Sequence, residues 1–406
     1  MLDMRKMGNF LSRCFRRSSR LGLLLLCLLL FEQSACDAAA PEAATRTRVI
    51  FVGDIMAHIE QLERPRSTGS WDFSPQFRRV KPLFKDALAV GNLETVFAGG
   101  KNFTGYPAFN TPDELAPALA DLGLCVVTLG NNHILDKGAS GAARTTRVLN
   151  DAGILWTGLG YGEAGPNEAL TFERDGVRWA FLSYSYASNR ILTSSDVHLN
   201  TISEHSVTEG LRNARLASPD ITVACFHWGN EYQFTPTKRQ IEIAALCLEN
   251  GADLVIGTHP HVLQPIEIVR SSLGDRVVAY SLGNFVSYQR TLPRERSVVL
   301  AVDFDNSQAD QTNQKFRVSR VSVAPTWVSV TREKGGRLVE VVYAGESPRF
   351  NHAGLGAASL KAARTAGKAV LDFLGATGEA DAEGFYTIWD AASPDVMPKA
   401  TRKSPM

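Results

Sequence analysis

The chain has 406 residues, of which 44% are hydrophobic and 21% are charged, a balance typical of a globular protein with one large core or two smaller ones. The 43 Lys and Arg residues are nearly matched by 42 Asp and Glu residues, which leaves a net charge of +1 at pH 7. Because nucleic acid binding requires a basic face, this scattered and balanced charge excludes nucleic acid as an expected partner.

Residues 1–46 are predicted to form an export signal and a linker. Basic residues precede an uncharged apolar run from Leu21 to Phe31, and small residues follow it. The run is too short to span a bilayer comfortably, so we expect an extracytoplasmic protein, which is periplasmic, at the cell surface or secreted. A signal anchor that remains in the membrane is the alternative. Cys36, which closely follows the apolar run, is a candidate for lipid attachment.

From residue 47 to residue 350, strand-like and helix-like segments alternate as in α/β proteins. The first predicted elements are a strand RVIFV, a helix between Pro112 and Gly123, a strand CVVTL and a helix between Ala139 and Ala152. A hairpin with its turn at Asp175–Gly176 follows. The pattern continues with a strand ITVACF, a helix within PTKRQIEIAALCLENG and a strand ADLVIG.

The last part of this region is rich in predicted strands: PIEIV, RVVAYSL, RSVVLAVDF, RVSRVSVAP and RLVEVVY. Mixed α/β units that lead into antiparallel strands predict two mixed β-sheets packed face to face with helices outside. The polar segment from Asn306 to Gln314 is predicted to be a surface loop. Residues 351–406 are predicted to form a C-terminal helical segment, SLKAARTAGKAVLDFLG, and a polar tail.

Polar residues of metal-ligand type follow five separate apolar runs. They are Asp54, Glu94, Asn132, His133, His227, His259 and His261. Because residues beyond the carboxyl ends of parallel strands converge on one crevice, we expect these side chains to meet. Carboxylate, amide and imidazole ligands suit one or two divalent ions, with Mn, Fe or Zn as the candidates. Turns, helix caps or a packed core histidine explain each motif singly, but such explanations become less plausible for the whole set.

Six motifs, in order, resemble the CapA capsule synthesis family. This family is named for poly-gamma-glutamate capsule production and belongs to the calcineurin-like metallophosphoesterase superfamily. The motifs are GDIM at 53–56, GNLE at 91–94, GNNHILDKG at 130–138, HWGNEY at 227–232, GTHPHVLQPIE at 257–267 and SLGNF at 281–285. The resemblance implies the metallophosphoesterase sandwich fold and capsule synthesis proteins as possible partners.

The resemblance also implies a role for each matching position. Asp54 and His261 would bind one ion, and Glu94 would bridge it to a second. The implied ligands of the second ion are Asn132, His227 and His259. His133 would be the acid that protonates the leaving oxygen. The residues implied to support the ligands or to contact the substrate are Asp136, Glu231 and Asn284.

One position departs from the superfamily pattern. That pattern begins with Asp-x-His, whereas Asp54 is followed by Ile55 and Met56, so the first ion lacks the imidazole of that motif. His58 is predicted to line the rim of the site, and it could replace the absent ligand if the chain bends after Gly53. The site is therefore expected to hold one tight ion and a second that is weak or absent.

The resulting functional hypothesis is an exported metal-dependent hydrolase that acts on a phosphate ester or on a cell-envelope polymer. An activated water would attack, His133 would assist the leaving group, and the ions would neutralise charge in the transition state. Two alternatives remain open. One is a non-catalytic envelope protein that binds, anchors or escorts an acidic capsule polymer, and the other is amide chemistry on poly-gamma-glutamate.

Overall fold

The computed structural model describes residues 46–66, 71–162, 167–190, 197–271, 274–306, 315–350, 352–376 and 378–393. The apolar run of the predicted export signal and Cys36 lie outside these residues, as does nearly all of the predicted loop from Asn306 to Gln314. Within the described ranges, no helix combines the length and apolar character needed to cross a membrane.

A nine-stranded mixed sheet forms one layer of the fold. Its strands are β1 (Arg46–Ile55), β2 (Leu88–Leu93), β3 (Leu124–Thr128), β4 (Leu155–Thr157), β13 (Asn284–Val286), β14 (Arg296–Asp305), β15 (Arg317–Glu333), β16 (Gly336–Tyr343) and β17 (Tyr386–Asp390). They run in the order β16-β15-β14-β1-β2-β3-β4, with β13 beside β1 and β17 beside β15. Strands β1 to β4 are parallel, whereas β14 to β16 are antiparallel, as the mixed pattern predicted.

A six-stranded sheet forms the second layer. Its strands are β6 (Leu170–Arg174), β7 (Val177–Ser185), β9 (Ile221–His227), β10 (Leu254–Thr258), β11 (Ile266–Val269) and β12 (Arg276–Ala279), in the order β11-β12-β10-β9-β7-β6. Strands β5 (Leu159–Tyr161) and β8 (Val197–Leu199) form a separate pair. The predicted hairpin is confirmed, because β6 and β7 are joined by Asp175 and Gly176, which both have positive φ.

The helices are α1 (Glu63–Arg66), α2 (Leu115–Leu122), α3 (Gly138–Asp151), α4 (Glu204–Leu216), α5 (Lys238–Glu249) and α6 (Ala357–Leu374). Short 3-10 turns occur at Ile59–Leu62, Ser74–Gln76 and Lys81–Phe84. Helix α2 ends at Gly123 as predicted, because glycine adopts the required φ of 113° without a Cβ clash. Helix α5 begins after Thr237, whose side chain accepts a hydrogen bond from the Gln240 amide.

The two sheets pack face to face, and the helices cover their outer faces, which confirms the predicted architecture. Alternate residues of β1 point to opposite sides. Val49 and Phe51 join the core between the sheets together with Phe181 of the second sheet. Ile50 and Val52 face the other side, where the buried residues of α2 and α3 pack. Buried residues of α4 and α5 cover the outer face of the six-stranded sheet.

The C-terminal segment contributes more than the predicted helix and tail. Helix α6 forms as expected, but Tyr386–Asp390 also form β17, which pairs antiparallel with β15. Trp389 of this strand is 1% exposed and belongs to the core between the sheets. We did not predict the strand because its five residues follow a stretch rich in Gly and acidic residues, and its pairing partner lies far away in sequence. The segment after residue 350 is therefore joined to the large sheet.

Candidate metal centre

The candidate ligands meet at one end of the sandwich. Asp54 lies in β1, Glu94 directly follows β2, and His227 is the last residue of β9. Because β1 and β2 are parallel in one sheet while β9 and β10 are parallel in the other, their carboxyl ends present side chains to a shared space. Glu94 Oε1 lies 3.5 Å from His227 Nε2, so the two sheets meet at this point.

One group of candidate ligands consists of Asp54, Glu94 and His261. Their ligand atoms lie within 4.8 Å of one another, and all three residues are buried. His261 Nδ1 donates to Asp54 Oδ2 at 3.1 Å and to Asn284 Oδ1 at 2.9 Å, which leaves Nε2 facing Glu94 Oε1 at 4.0 Å. Carboxylate and amide partners on one ring nitrogen fix the tautomer and orient the other nitrogen for a metal ion.

A second group consists of Glu94, His227 and His259, again with ligand atoms within 4.8 Å of one another. Asn132 adjoins this group, because its Oδ1 lies 3.0 Å from His227 Nε2. Glu94 belongs to both groups and lies between them. This is the position that the family resemblance implies for a bridging carboxylate.

The buried polar atoms of the cluster fit a divalent cation. Neither oxygen of Glu94 accepts a hydrogen bond from a described residue, and His259 Nδ1 also has no hydrogen-bond partner there. An unpaired buried carboxylate is costly unless a cation or a proton neutralises it. Burial and the nearby Asp54 charge raise the pKa of Glu94 to about 8. The mixture of carboxylates and imidazoles suits Mn, Fe or Zn.

The histidines of the cluster differ in protonation. Burial lowers the pKa of His227 to about 3, and burial together with the neighbouring His227 lowers the pKa of His259 to about 2. Both are therefore neutral at pH 7, the form that binds metal ions. Burial also opposes the charge on His261, but Glu94 and Asp54 outweigh it and raise its pKa to about 9. The hydrogen bond from His261 and its charge overcome the effect of burial on Asp54 and lower its pKa to about 2.

His133 lies at the edge of the cluster in an orientation suited to proton transfer. Its Nδ1 donates to Asp136 Oδ2 at 2.8 Å, and its Nε2 lies 3.9 Å from Glu94 Oε1. Asp136 is itself held by the Phe109 amide at 2.8 Å, and the Phe109 ring packs edge-on against His133 at 4.8 Å. Burial lowers the pKa of His133, but the hydrogen bond to Asp136 and the Glu94 charge raise it further than burial lowers it. The ring can therefore carry a proton near neutral pH.

The remaining predicted residues occupy different positions. Asn284 touches a candidate ligand, since it pairs with His261. Glu231 is exposed and forms a third possible ligand group with His259 and His261. His58 contacts Gln61 and the edge of the Phe109 ring instead of a candidate ligand, and burial lowers its pKa to about 4. Its predicted place at the rim stays a prediction.

Two residues that sequence reasoning missed orient the ligands. Asn92 donates to Asp54 Oδ1 at 2.8 Å, and its Nδ2 lies 3.3 Å from His227 Nδ1. Thr258 Oγ1 lies 3.0 Å from the same nitrogen. A polar side chain inside the buried strand β2 was the available signal for Asn92, for which a turn was one alternative explanation.

Three tyrosines lie beside the histidines on the open side of the cluster. The ring of Tyr106 is 6.4 Å from His133, that of Tyr186 is 4.5 Å from His259, and that of Tyr232 is 6.1 Å from His261. Tyr106 and Tyr186 are 72% and 45% exposed, while the histidines beneath them are buried. A substrate that approaches the cluster from solvent would meet these rings first.

The protein also has a cavity of about 1090 Å³. Trp71, Phe103 and Lys101 are among the residues that line it, and the candidate ligands are not. The cavity is therefore not part of the metal-type cluster.

Comparison with known families identifies related proteins. A family model described as bacterial capsule synthesis protein PGA_cap matches residues 48–289, which is more than half of the chain. The chain is 30% identical over 254 residues to the capsule biosynthesis protein CapA of Bacillus anthracis and 28% identical over 244 residues to the PGA biosynthesis protein CapA of Bacillus subtilis. Each match covers 58% of this chain and spans 58% and 62%, respectively, of the length of these relatives.

More distant similarities exist as well. A probable polyglutamine synthesis accessory protein of Mycobacterium tuberculosis is 25% identical over 231 residues, covering 53% of this chain and 59% of the relative. Among solved structures, the NAD nucleotidase of Haemophilus influenzae aligns with 12% identity and a TM-score of 0.44, over 81% of this chain and 56% of that chain. A putative 5'-nucleotidase from Staphylococcus aureus aligns with 11% identity and a TM-score of 0.44, over 79% and 58%.

Proposed function

Because the chain belongs to the family of bacterial capsule synthesis proteins known as PGA_cap, we propose that it is an exported metal-dependent hydrolase that acts on a phosphate ester or a cell-envelope polymer during capsule synthesis. One observation carries the proposal. The buried carboxylate of Glu94 accepts no hydrogen bond from a described residue and lies between two ligand groups, one with Asp54 and His261 and one with His227 and His259. The proposal that the protein is exported is based on the export signal predicted from the sequence of residues 1–46.

The two groups assign the ligands of one or two divalent ions. Asp54, Glu94 and His261 would hold the first ion. The residues that would hold the second are Glu94, Asn132, His227 and His259. When bound, such ions lower the pKa of a water molecule and stabilise negative charge on a phosphoryl or acyl oxygen.

The chain itself supplies the proton for the leaving group. His133 carries its proton on Nε2, the atom that faces Glu94 at 3.9 Å, and gives it to the departing oxygen. Asp136 holds the ring through Nδ1 at 2.8 Å and stabilises its charged form. Phe109 packs against the same ring and limits its movement.

A protein that binds or escorts an acidic polymer without turnover is the second candidate. The similarity to the mycobacterial relative, a probable polyglutamine synthesis accessory protein, favours it. In that case the cluster would hold a structural ion, and His133 would have no leaving group to protonate.

Turnover measurements distinguish the two candidates. The full chain would be stripped with a chelator, reloaded with Mn, Fe or Zn, and offered phosphomonoesters, phosphodiesters and poly-gamma-glutamate. We expect metal-dependent turnover that His133→Asn abolishes while metal content is retained. The matched control is His205→Asn, because His205 is exposed on α4. Polymer binding with no metal-dependent turnover would contradict the hydrolase and favour the escort.

A further inference from the structure

Arg294 places a guanidinium beside the candidate metal centre. It lies between β13 and β14, and its Cζ is 3.3 Å from the centre of the Tyr232 ring. That ring lies 6.1 Å from the ring of His261. The Tyr232 ring therefore contacts the cation and also neighbours a candidate metal ligand.

The backbone of Arg294 is tied to the same centre. Asn284 Nδ2 donates to the Arg294 carbonyl oxygen at 3.0 Å, while Asn284 Oδ1 accepts from His261 Nδ1 at 2.9 Å. The Arg294 amide donates to the Thr291 carbonyl at 3.0 Å. One asparagine thus contacts both a candidate ligand and the backbone of the segment that carries the guanidinium.

The guanidinium of Arg294 has no ion-pair partner among the described acids. In the described part of the chain, no carboxylate forms an ion pair with it, whereas the adjacent Arg296 pairs with Glu295 at 3.4 Å. Glu231, the acid beside Tyr232 in sequence, adds to the effect of burial in raising the pKa of Tyr232, but it forms no ion pair with Arg294 in the described part of the chain. Arg294 is partly buried, and its stacking on Tyr232 uses the flat face of the guanidinium. The N–H groups along its edge stay available for a planar anion, which they bind in a bidentate manner.

We propose that Arg294 is a specificity-determining residue that binds a carboxylate of the substrate next to the linkage held at the metal centre. The inference rests on the proposed function and assigns a substrate-binding residue to its site. A group undergoing cleavage would lie over the ligands themselves, so a cation one ring away must meet a second anionic group. A polymer with a carboxylate on each residue supplies that second anion, whereas a simple phosphate monoester does not.

The surrounding tyrosines fit the same class of substrate. Tyr106 and Tyr186 present exposed rings beside the buried histidines. Such rings offer apolar area and hydroxyl groups to a flexible chain without adding negative charge at neutral pH, since burial raises the pKa of Tyr186 above its usual value. The cation of Arg294 thus supplies the charge selection and the tyrosines the contact area.

Calorimetric binding to the full, metal-loaded chain tests the proposal. The probes are a γ-linked oligoglutamate and its analogue of equal length in which each free α-carboxylate is replaced by an α-carboxamide, so that only the first is charged. We expect the wild type to prefer the acidic oligomer. Arg294→Met should weaken acidic binding by about tenfold or more and leave neutral binding unchanged, and Arg294→Lys should lose less. Arg212→Met is the matched control, because Arg212 is exposed on α4.

Several results would overturn the proposal. The first is a wild type that shows no preference for the acidic oligomer. The second is an Arg294→Met variant that binds the acidic oligomer as tightly as the wild type does. The third is an Arg294→Lys variant whose affinity for both oligomers falls equally. Inorganic phosphate is the third probe, and a loss confined to phosphate would show that the cation binds a phosphate instead. The measurement needs no turnover. Failure of the hydrolase assay with Arg294-dependent binding intact would therefore refute the hydrolase and leave this inference standing.

Discussion

The two ring nitrogens of His133 face two different acids. Nδ1 lies 2.8 Å from Asp136 Oδ2, and Nε2 lies 3.9 Å from Glu94 Oε1. The first contact holds the ring, and the second aims its other nitrogen at the candidate metal centre. Because Asp136, and Glu94 when it is ionised, raise the pKa of the imidazole, the ring is suited to hold a proton until a leaving group takes it.

Asp136→Asn should reduce turnover by about 10- to 100-fold with unchanged metal content, since it removes the charge that orients and stabilises the protonated ring. Activity that requires protonated His133 is lost as pH rises through its pKa. The substitution lowers that pKa, so the alkaline loss should move to lower pH. The pH–rate profile measures this shift, and Asp121→Asn is the control, because Asp121 is an exposed residue of α2. A pH–rate profile of Asp136→Asn identical to that of the wild type would show that Asp136 does not position His133.

Glu94→Gln should abolish the stabilisation that a divalent ion confers, because it removes the negative charge shared by both ligand groups. The melting temperature with and without added Mn measures this effect, since an ion that binds only the folded state raises it by mass action. Without metal we expect little change, because Glu94 has a raised pKa and is neutral in the folded state at pH 7. Glu242→Gln, on the exposed side of α5, should keep the full metal response. If Mn raises the melting temperature of Glu94→Gln as much as that of the wild type, Glu94 is not a ligand shared by the two groups.

Metal affinity should rise with pH between about pH 6 and pH 9. In the metal-free protein Glu94 has a pKa near 8 and His261 a pKa near 9, so both carry protons at pH 7. An ion must displace these protons, and it competes with fewer of them as pH rises. Calorimetry in two buffers of different ionisation enthalpy should detect proton release on Mn binding at pH 7. Proton uptake, or affinity independent of pH, would contradict this arrangement.

Trp389→Ala should lower the free energy of unfolding by about 3–5 kcal/mol, because it empties a large site in the core between the sheets. Chemical denaturation measures the loss. Leu216→Ala is the control, since Leu216 is 79% exposed at the end of α4 and should change stability by less than about 0.5 kcal/mol. Equal effects of the two substitutions would mean that β17 is not part of the folded sheet.

The meeting of the ligands could be predicted from sequence, because the carboxyl ends of parallel strands share one edge of a sheet. Turns were one alternative explanation for these motifs, but Gly53, which precedes Asp54, does not form a turn. Gly53 lies within β1, and a Cβ there would lie 1.8 Å from the Gly283 carbonyl oxygen. Glycine is needed at this position for the close approach of two backbones.

Other features depend on contacts that local patterns do not encode. The proposed role of Arg294 depends on its contact with Tyr232, which is distant in sequence, and no sequence motif contains both residues. Asn92 and Thr258 orient His227 from two different sheets. Strand β17 is defined by its pairing with β15 and not by its own short sequence. Long-range packing, which sequence periodicity does not specify, decides all of these positions.

Anomalous diffraction from crystals of the Mn-loaded protein would locate the bound ions. We expect one or two anomalous peaks within coordination distance of Glu94, one beside Asp54 and His261 or one beside His227 and His259, or both. A protein saturated with Mn that shows no peak at Glu94, or that binds its ions elsewhere, would contradict this expectation.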